Sequence, residues 1–334
     1  MKKYLVLLFV LGMFSCQNSK KEEIIRINDM VYQTVIDTIY SRMPGSMLCQ
    51  NGIVYWHDVF SSEGIIHAVD IKTGKELKTF GNVGNGPKEF TYPLLSLSPD
   101  GGLCIADGNK SLDILYKLEN KTDSLYEIVS GFEKDKGITR VLQGDGGDKL
   151  LLYPGKKRMF ETYKDGKWYK NGICPIHEEI ANGYDVFQGN IGYNRQERRL
   201  VFSAMRFPYL AVYKWETQGW SLEKELKGKL EYRLSENKMK LSEDMNGAME
   251  MALTKDFIVL LQRDEQVEGK PVKPEGPRDM SMLPRSLFIY DYDLKLKKIL
   301  NMQFPIVRIC GDEKENTLYA IAVNDDFSMI KMIL

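Results

Sequence analysis

Short apolar runs rich in Val, Ile, Tyr and Phe, bounded by Gly, Asp, Asn and Lys, predict an all-β chain. The arrangement they predict is a six-bladed β-propeller of four-stranded antiparallel blades. Three observations carry this. The runs come as pairs joined by polar turns. The pairs return roughly every 40 to 50 residues, the length of one four-stranded blade. Periodicity of the helical kind is nearly absent after the first fifteen residues.

The pairs are Ile65–Ile71 with Lys75–Phe80, Leu112–Leu118 with Ser124–Val129, and Arg158–Tyr163 with Lys167–Ile173. Tyr209–Trp215 with Trp220–Leu226 and Ser286–Tyr292 with Lys295–Phe304 follow. Met329–Leu334 is a last strand with no successor. The residues just before each turn fall near 70, 117, 163, 214, 292 and 332. One gap is swollen by about 30 residues; the others fit one blade each. Six marks give six blades. The last lacks an outer strand, and the strand-like stretches of Ile24–Tyr40 are expected to supply it, closing the ring and covering an open edge. The best helical candidate is Ser235–Leu253, with Met239, Leu241, Met245, Met249 and Met251.

The chain starts with Lys2 and Lys3 and an apolar run, Tyr4–Phe14. That run is shorter than the roughly 20 residues a membrane-spanning helix needs and suits a signal-peptide core. Met13-Phe14-Ser15-Cys16 resembles the bacterial lipobox, although Met13 replaces the usual leucine and Phe14 is bulky. The resemblance implies a signal peptide over residues 1–15 and a lipid on Cys16. A secretory signal with a chance cysteine reads the same residues without the lipid. Residues 16–23 form the lipidated cysteine and a polar tether. Lys21-Glu22-Glu23 resembles the signal that sends some Bacteroidetes lipoproteins to the outer leaflet. The expectation is an exported lipoprotein of the outer membrane, exposed at the surface, with the propeller over residues 24–334.

Phe80-Gly81-Asn82-Val83-Gly84-Asn85-Gly86-Pro87-Lys88-Glu89-Phe90 is followed by Pro93, by Pro99-Asp100-Gly101-Gly102, and by Asp107 and Asn109. This stretch resembles an NHL repeat. It is similar also to the TolB-like six-bladed propeller lipoproteins of Bacteroidetes. The match covers about 35 residues at one blade boundary, and it implies a fold rather than an activity.

Hydrophobic residues make up 43% of the chain, enough for a sizeable core. Lys+Arg and Asp+Glu are both 46. Without a basic excess or stripe, nucleic acid is not an expected partner. Cys49, Cys104, Cys174 and Cys310 are far apart in sequence with no CxxC pair, so zinc is not expected; with no HExxH, P-loop or dinucleotide fingerprint, neither another metal nor a cofactor is expected. Cys104 and Cys310 lie in apolar strands and read as buried thiols. His67 reads as packing and His177 as a linker residue. Asp145-Gly146-Gly147-Asp148 reads as a turn between the first two strands of a blade. Tyr153, Tyr184, Phe187, Tyr193 and Trp215 can stack on sugars but read mostly as blade packing.

Propeller geometry places the blade-to-blade linkers and the loops between second and third strands on one face. Two insertions, 227–246 and 262–285, belong to it. Long loops of this kind are uncommon without a role, although a solvated insertion fits the same composition. Other loops on that face supply His57, Asp58, Asp107, Asn109, Lys156, Lys157, Arg206, Asn324 and Asp325, the candidate ligand-binding residues. Arg206, beside Phe207-Pro208, has a guanidinium able to fork onto a carboxylate or sugar hydroxyl. An ion pair between blades is the plainer expectation for it. The residues favour a lipid-anchored envelope propeller that binds a protein, peptide or glycan on its loop face. The alternative is a lyase or hydrolase at the channel mouth using His57, Asp107 and Arg206. A third is a structural subunit of an envelope complex, with a broad apolar patch near the insertions.

Overall fold

The computed structural model describes residues 24–118, 124–173, 180–242, 246–270, 276 and 279–334. Its sheets form a ring of six blades, each counted here from the central channel outward. Blade one is Met47–Gln50, Ile53–His57, Ile66–Asp70 and Glu76–Phe80. Blade two is Pro93–Leu97, Leu103–Asp107, Asp113–Leu118 and Leu125–Ser130. Blade three is Arg140–Gln143, Lys149–Leu152, Arg158–Lys164 and Lys167–Ile173. Blade four is Gly189–Asn194, Arg199–Ala204, Tyr209–Glu216 and Gly219–Lys227. Blade five is Glu250–Leu253, Phe257–Leu261, Ser286–Asp291 and Leu296–Asn301. Blade six is Ile306–Gly311, Thr317–Asn324 and Asp326–Ile333, completed by the N-terminal strand Gln33–Ile39.

The expected closure is therefore present: Gln33–Ile39 pairs antiparallel with Asp326–Ile333. One further strand was not foreseen. Ile25–Ile27 pairs in parallel with Leu296–Asn301 and adds a fifth, outermost strand to blade five. The Arg26 guanidinium reaches Asp264 at 3.1 Å and fixes this strand to the insertion above it.

Middle strands face a neighbouring blade on both sides, and their sequences read as continuous apolar runs. Leu103–Asp107 is buried at every position. Thr317–Ala322 is buried likewise. Each of the six seams has its own core. Phe160, Phe202 and Tyr213 fill the seam between blades three and four. Leu287, Ile306 and Ile330 fill five–six, and Ile66, Ile105 and Ile114 fill one–two. Trp56, Val307 and Ile321 fill six–one. Val201, Leu210 and Ile258 fill four–five, and Ala106, Ile138 and Leu151 fill two–three. At roughly 1.5–3 kcal/mol per fully buried large apolar side chain, these seams dominate the favourable energy of folding.

Among the described residues, the helical candidate Ser235–Leu253 forms no helix. Tyr232–Ser235 and Lys238–Leu241 form a hairpin instead, and Glu250–Leu253 is the inner strand of blade five. The hairpin turns through Glu236 and Asn237, with φ of 49° and 58°. Positive φ at both turn positions matches the twist of paired strands. Met239 and Leu241 follow a period of two. Met239 is buried in the seam between blades three and four, where tertiary packing outweighs the spacing of Leu241 and Met249.

The NHL-like stretch forms the linker from blade one to blade two. Phe90 is fully buried in that seam. The Glu89 carboxylate accepts from the Gly86 N–H at 2.8 Å. The Lys110 ammonium donates to the carbonyls of Gly84 and Glu89, both at 2.9 Å. A Cβ on Gly84, whose φ is 158°, would meet the Glu89 carboxylate at 2.0 Å. Asp145–Gly147 makes the expected turn between the first two strands of blade three.

Candidate functional site

The six inner strands enclose a channel holding a cavity of about 150 Å³. Leu95, Leu142, Ile191, Met251 and Ile309 form apolar walls. Charged side chains stand at both ends. Inner strands begin on the face that carries the blade linkers, so Arg140 and Glu250, the first residues of theirs, mark that upper end.

The lower end carries a matched ion pair. Arg195 pairs with Glu313 at 3.3 Å and donates to the Gln143 carbonyl at 3.4 Å, tying blades four, six and three together. Burial raises the Glu313 pKa, and Arg195 offsets only part of that.

The upper end is different. Arg140 and Arg308 belong to blades three and six, on opposite sides of the ring. They take the same posture: each donates through Nη1 to the carbonyl of the preceding residue, Thr139 or Val307, at 2.9 Å. A register shift between Ile306 and Arg308 marks a bulge at Val307. Bulges re-aim side chains beside sites. Arg308 stands 3.4 Å from the Glu250 carboxylate. Burial raises the Glu250 pKa, with Arg308 and then Arg140 working against it. Arg308 Nε and His57 Nε2 are both buried without a hydrogen-bond partner.

His57 ends the second strand of blade one. Burial lowers its pKa to about 4; Asp58 opposes the shift and the Arg308 charge adds to it. The ring is therefore neutral near pH 7. Tyr92 lies on the other side of the mouth, near Tyr184. Burial and then Tyr184 raise its pKa, and Arg140 acts in the opposite sense.

The other expected residues are spread over the upper face and are mostly engaged. Asp58 is buried and accepts from the Phe60 N–H at 2.8 Å. Asp107 is fully buried and accepts from the backbone N–H groups of Thr91, Asn109 and Lys110. Burial works to raise its pKa, and the N–H groups of Thr91, Asn109 and Tyr92, with the Thr91 hydroxyl, carry it below the ordinary value. Asn109 also reaches the Thr91 hydroxyl at 3.4 Å. Lys156 pairs with Asp135 at 2.6 Å and Glu161 at 2.7 Å, over the Tyr153 ring. Lys157 lies beside it. Arg206 is exposed on the loop of blade four, and no ion pair holds it among the described residues. Asn324 and Asp325 are exposed at the tight turn of blade six, Asp325 with φ of 67°. His67 stacks on Trp56 at 4.1 Å between centroids. Cys49, Cys104 and Cys310 are buried free thiols. Cys16, Cys174 and His177 lie outside the described residues.

The two insertions meet on the upper face. The Asn246 side chain donates to the Arg263 carbonyl at 3.1 Å, and the Gln262 side chain to the Asn246 carbonyl at 3.2 Å. Asp264 caps the short helix Glu265–Glu268. The buried Glu268 carboxylate accepts from the backbone N–H groups of Asp264 and Arg285 and from the Ser286 hydroxyl. Arg263 donates to the carbonyls of Ser281 and Met282.

Arg140, Glu250 and Arg308 did not enter the expected set. Their signal is a charged residue inside the apolar run that opens a blade. Ile138-Thr139-Arg140-Val141-Leu142 and Ile306-Val307-Arg308-Ile309-Cys310 share it. Among the described residues, no group of three or more His, Cys, Asp or Glu side chains is placed to hold a metal ion.

No family model matches the sequence, and no curated relative does. Solved structures do resemble the fold. A member of the DUF4221 family from Bacteroides vulgatus is 15% identical, with 93% of this chain and 97% of that one covered and a TM-score of 0.54. A calcium-binding protein, regucalcin, from Agrobacterium tumefaciens is 9% identical over 93% and 95%, with a TM-score of 0.53. A gluconolactonase from Xanthomonas campestris is 8% identical over 92% and 91%, with a TM-score of 0.50. At these identities the likeness is one of fold: the chain is a six-bladed β-propeller similar to these proteins in architecture.

Proposed function

We propose that the chain is a lipid-anchored envelope propeller that binds its ligand on the upper face, around the channel mouth. One observation carries this reading. The lower end carries one matched ion pair, Arg195–Glu313, whereas the upper end has two guanidiniums beside one carboxylate and a buried Arg308 Nε without a partner. An unmet guanidinium donor beside surplus positive charge favours capture of a ligand. The carboxylates that a hydrolase or lyase reading needs, Asp58 and Asp107, are turned to backbone N–H groups instead. The calcium-binding chemistry in the regucalcin name finds no converging donor set among the described residues. The anchor rests on Cys16 and the signal before it.

Photo-crosslinking from native envelopes tests the face. A crosslinking residue at Arg206, on the upper face, is expected to trap a protein, peptide or glycan ligand. One at Gly166, in the turn between the third and fourth strands of blade three, is expected to trap none. Equal labelling from both positions, or none from either, refutes the reading.

A further inference from the structure

We infer that the upper mouth is a carboxylate site: Arg140 and Arg308 clamp a monocarboxylate head, and the apolar channel below takes a small hydrocarbon body. The inference rests on the proposed binding role and names its chemistry. Two guanidiniums against Glu250 leave one surplus positive charge, which a monoanion neutralises. A dianion such as phosphate would bring its second charge against Glu250. Each arginine spends one donor on the carbonyl behind it, which fixes the guanidinium and leaves the rest of the fork for a planar carboxylate. Arg308 Nε, buried with no partner, is one such unmet donor.

The body follows from the cavity. A space of about 150 Å³, walled in part by apolar side chains, accommodates a group of roughly benzene size. Leu95, Leu142, Ile191, Met251 and Ile309 give it apolar contacts, with Ser96, Gln143 and Asn190 between them, and the Arg195–Glu313 pair lies at the far end. The fitting ligand has about six carbons, counting the carboxylate carbon among them. That chemistry is offered by a free short-chain acid and by a peptide C-terminus ending in an aliphatic residue.

Titration calorimetry and thermal shift on the intact soluble chain distinguish the cases. Hexanoate and acetyl-alanyl-leucine are the two carboxylate probes. Hexanol, the leucine dipeptide amide and inorganic phosphate are the controls. At least one carboxylate is expected to bind ten-fold or more tightly than its neutral counterpart, with an optimum near six carbons in the acetate-to-octanoate series. The tighter of the two identifies the source. R140M is expected to weaken binding at least ten-fold, while R195M at the lower mouth leaves it within two-fold. Because R308M alone strands Glu250, the R308M/E250Q pair is the folded control, and it is expected to lose binding too. Amide or alcohol binding as tightly as acid, phosphate binding in preference to either carboxylate, or carboxylate binding that survives R140M overturns the inference. Crosslinking from Arg206 that persists alongside such a result would leave the upper-face role standing and remove only the carboxylate.

Discussion

Lowering the pH should weaken the fold through His57 in a defined window. The His57 pKa falls from 6.5 to about 4 in the folded chain, with burial as the main cause. Between those values the unfolded chain takes up a proton that the native ring refuses. Stability is therefore constant above about pH 6.5 and falls as the pH drops toward 4. At about 1.4 kcal/mol per pH unit, the loss approaches roughly 3 kcal/mol. The ring has little room to escape, since a Cβ on Gly45 would meet His57 Nδ1 at 2.5 Å. The assay is urea denaturation of the wild type and H57Q at pH 7.5, 6.5, 5.5 and 4.5. Other groups titrate in both proteins, so the difference between them isolates the histidine. The wild type is expected to lose stability relative to H57Q below pH 6.5 and not above it. A difference that stays flat across the series refutes the buried, neutral ring.

Glu268→Ala should destabilise the insertion by about 3–5 kcal/mol, because it strands Arg263 and three donors; protease cutting within 269–280 reports it, and the exposed Glu265→Ala should stay within about 0.5 kcal/mol. Asp107→Ala should cost about 3 kcal/mol by leaving the Thr91, Asn109 and Lys110 N–H groups unmet, read as a drop in Tm with the upper-face crosslink from Arg206 kept in the cold. Deleting residues 24–40 should bare the edge of Asp326–Ile333 and drive self-association in size-exclusion chromatography; a monodisperse monomer would contradict the closure. Cys16→Ala should abolish labelling by a fatty-acid analogue, and persistent labelling would remove the anchor.

The blades were legible because a middle strand buried on both faces must be apolar along its whole length, as Leu103–Ala106 is, and because turns such as Lys72-Thr73-Gly74 punctuate the runs. The hairpin at 232–241 was misread since Leu241, Met245 and Met249 fall at helical spacing, while the deciding fact, the pocket that takes Met239, is tertiary. The candidate site was harder to read. Loop polarity pointed to Asp58 and Asp107, yet short acidic side chains in loops satisfy nearby backbone N–H groups first. The mouth is built instead from inner-strand residues, where Arg140 and Arg308 lie far apart in sequence and meet only when the ring closes. The parallel strand Ile25–Ile27 carries no turn signal at all, because its partner Leu296–Asn301 lies at the other end of the chain.

That parallel strand alters how the ring bears load. The chain joins the propeller at its circumference, first on blade five and then on blade six. Tension applied at residue 24 falls first on the three-residue ladder of Ile25–Ile27 and the Arg26–Asp264 pair. Only after these part does it reach Gln33–Ile39, the strand whose loss would open the circle. The outer strand thus acts as a mechanical fuse ahead of the clasp, and a pull from residue 24 meets the rim of the ring rather than the channel.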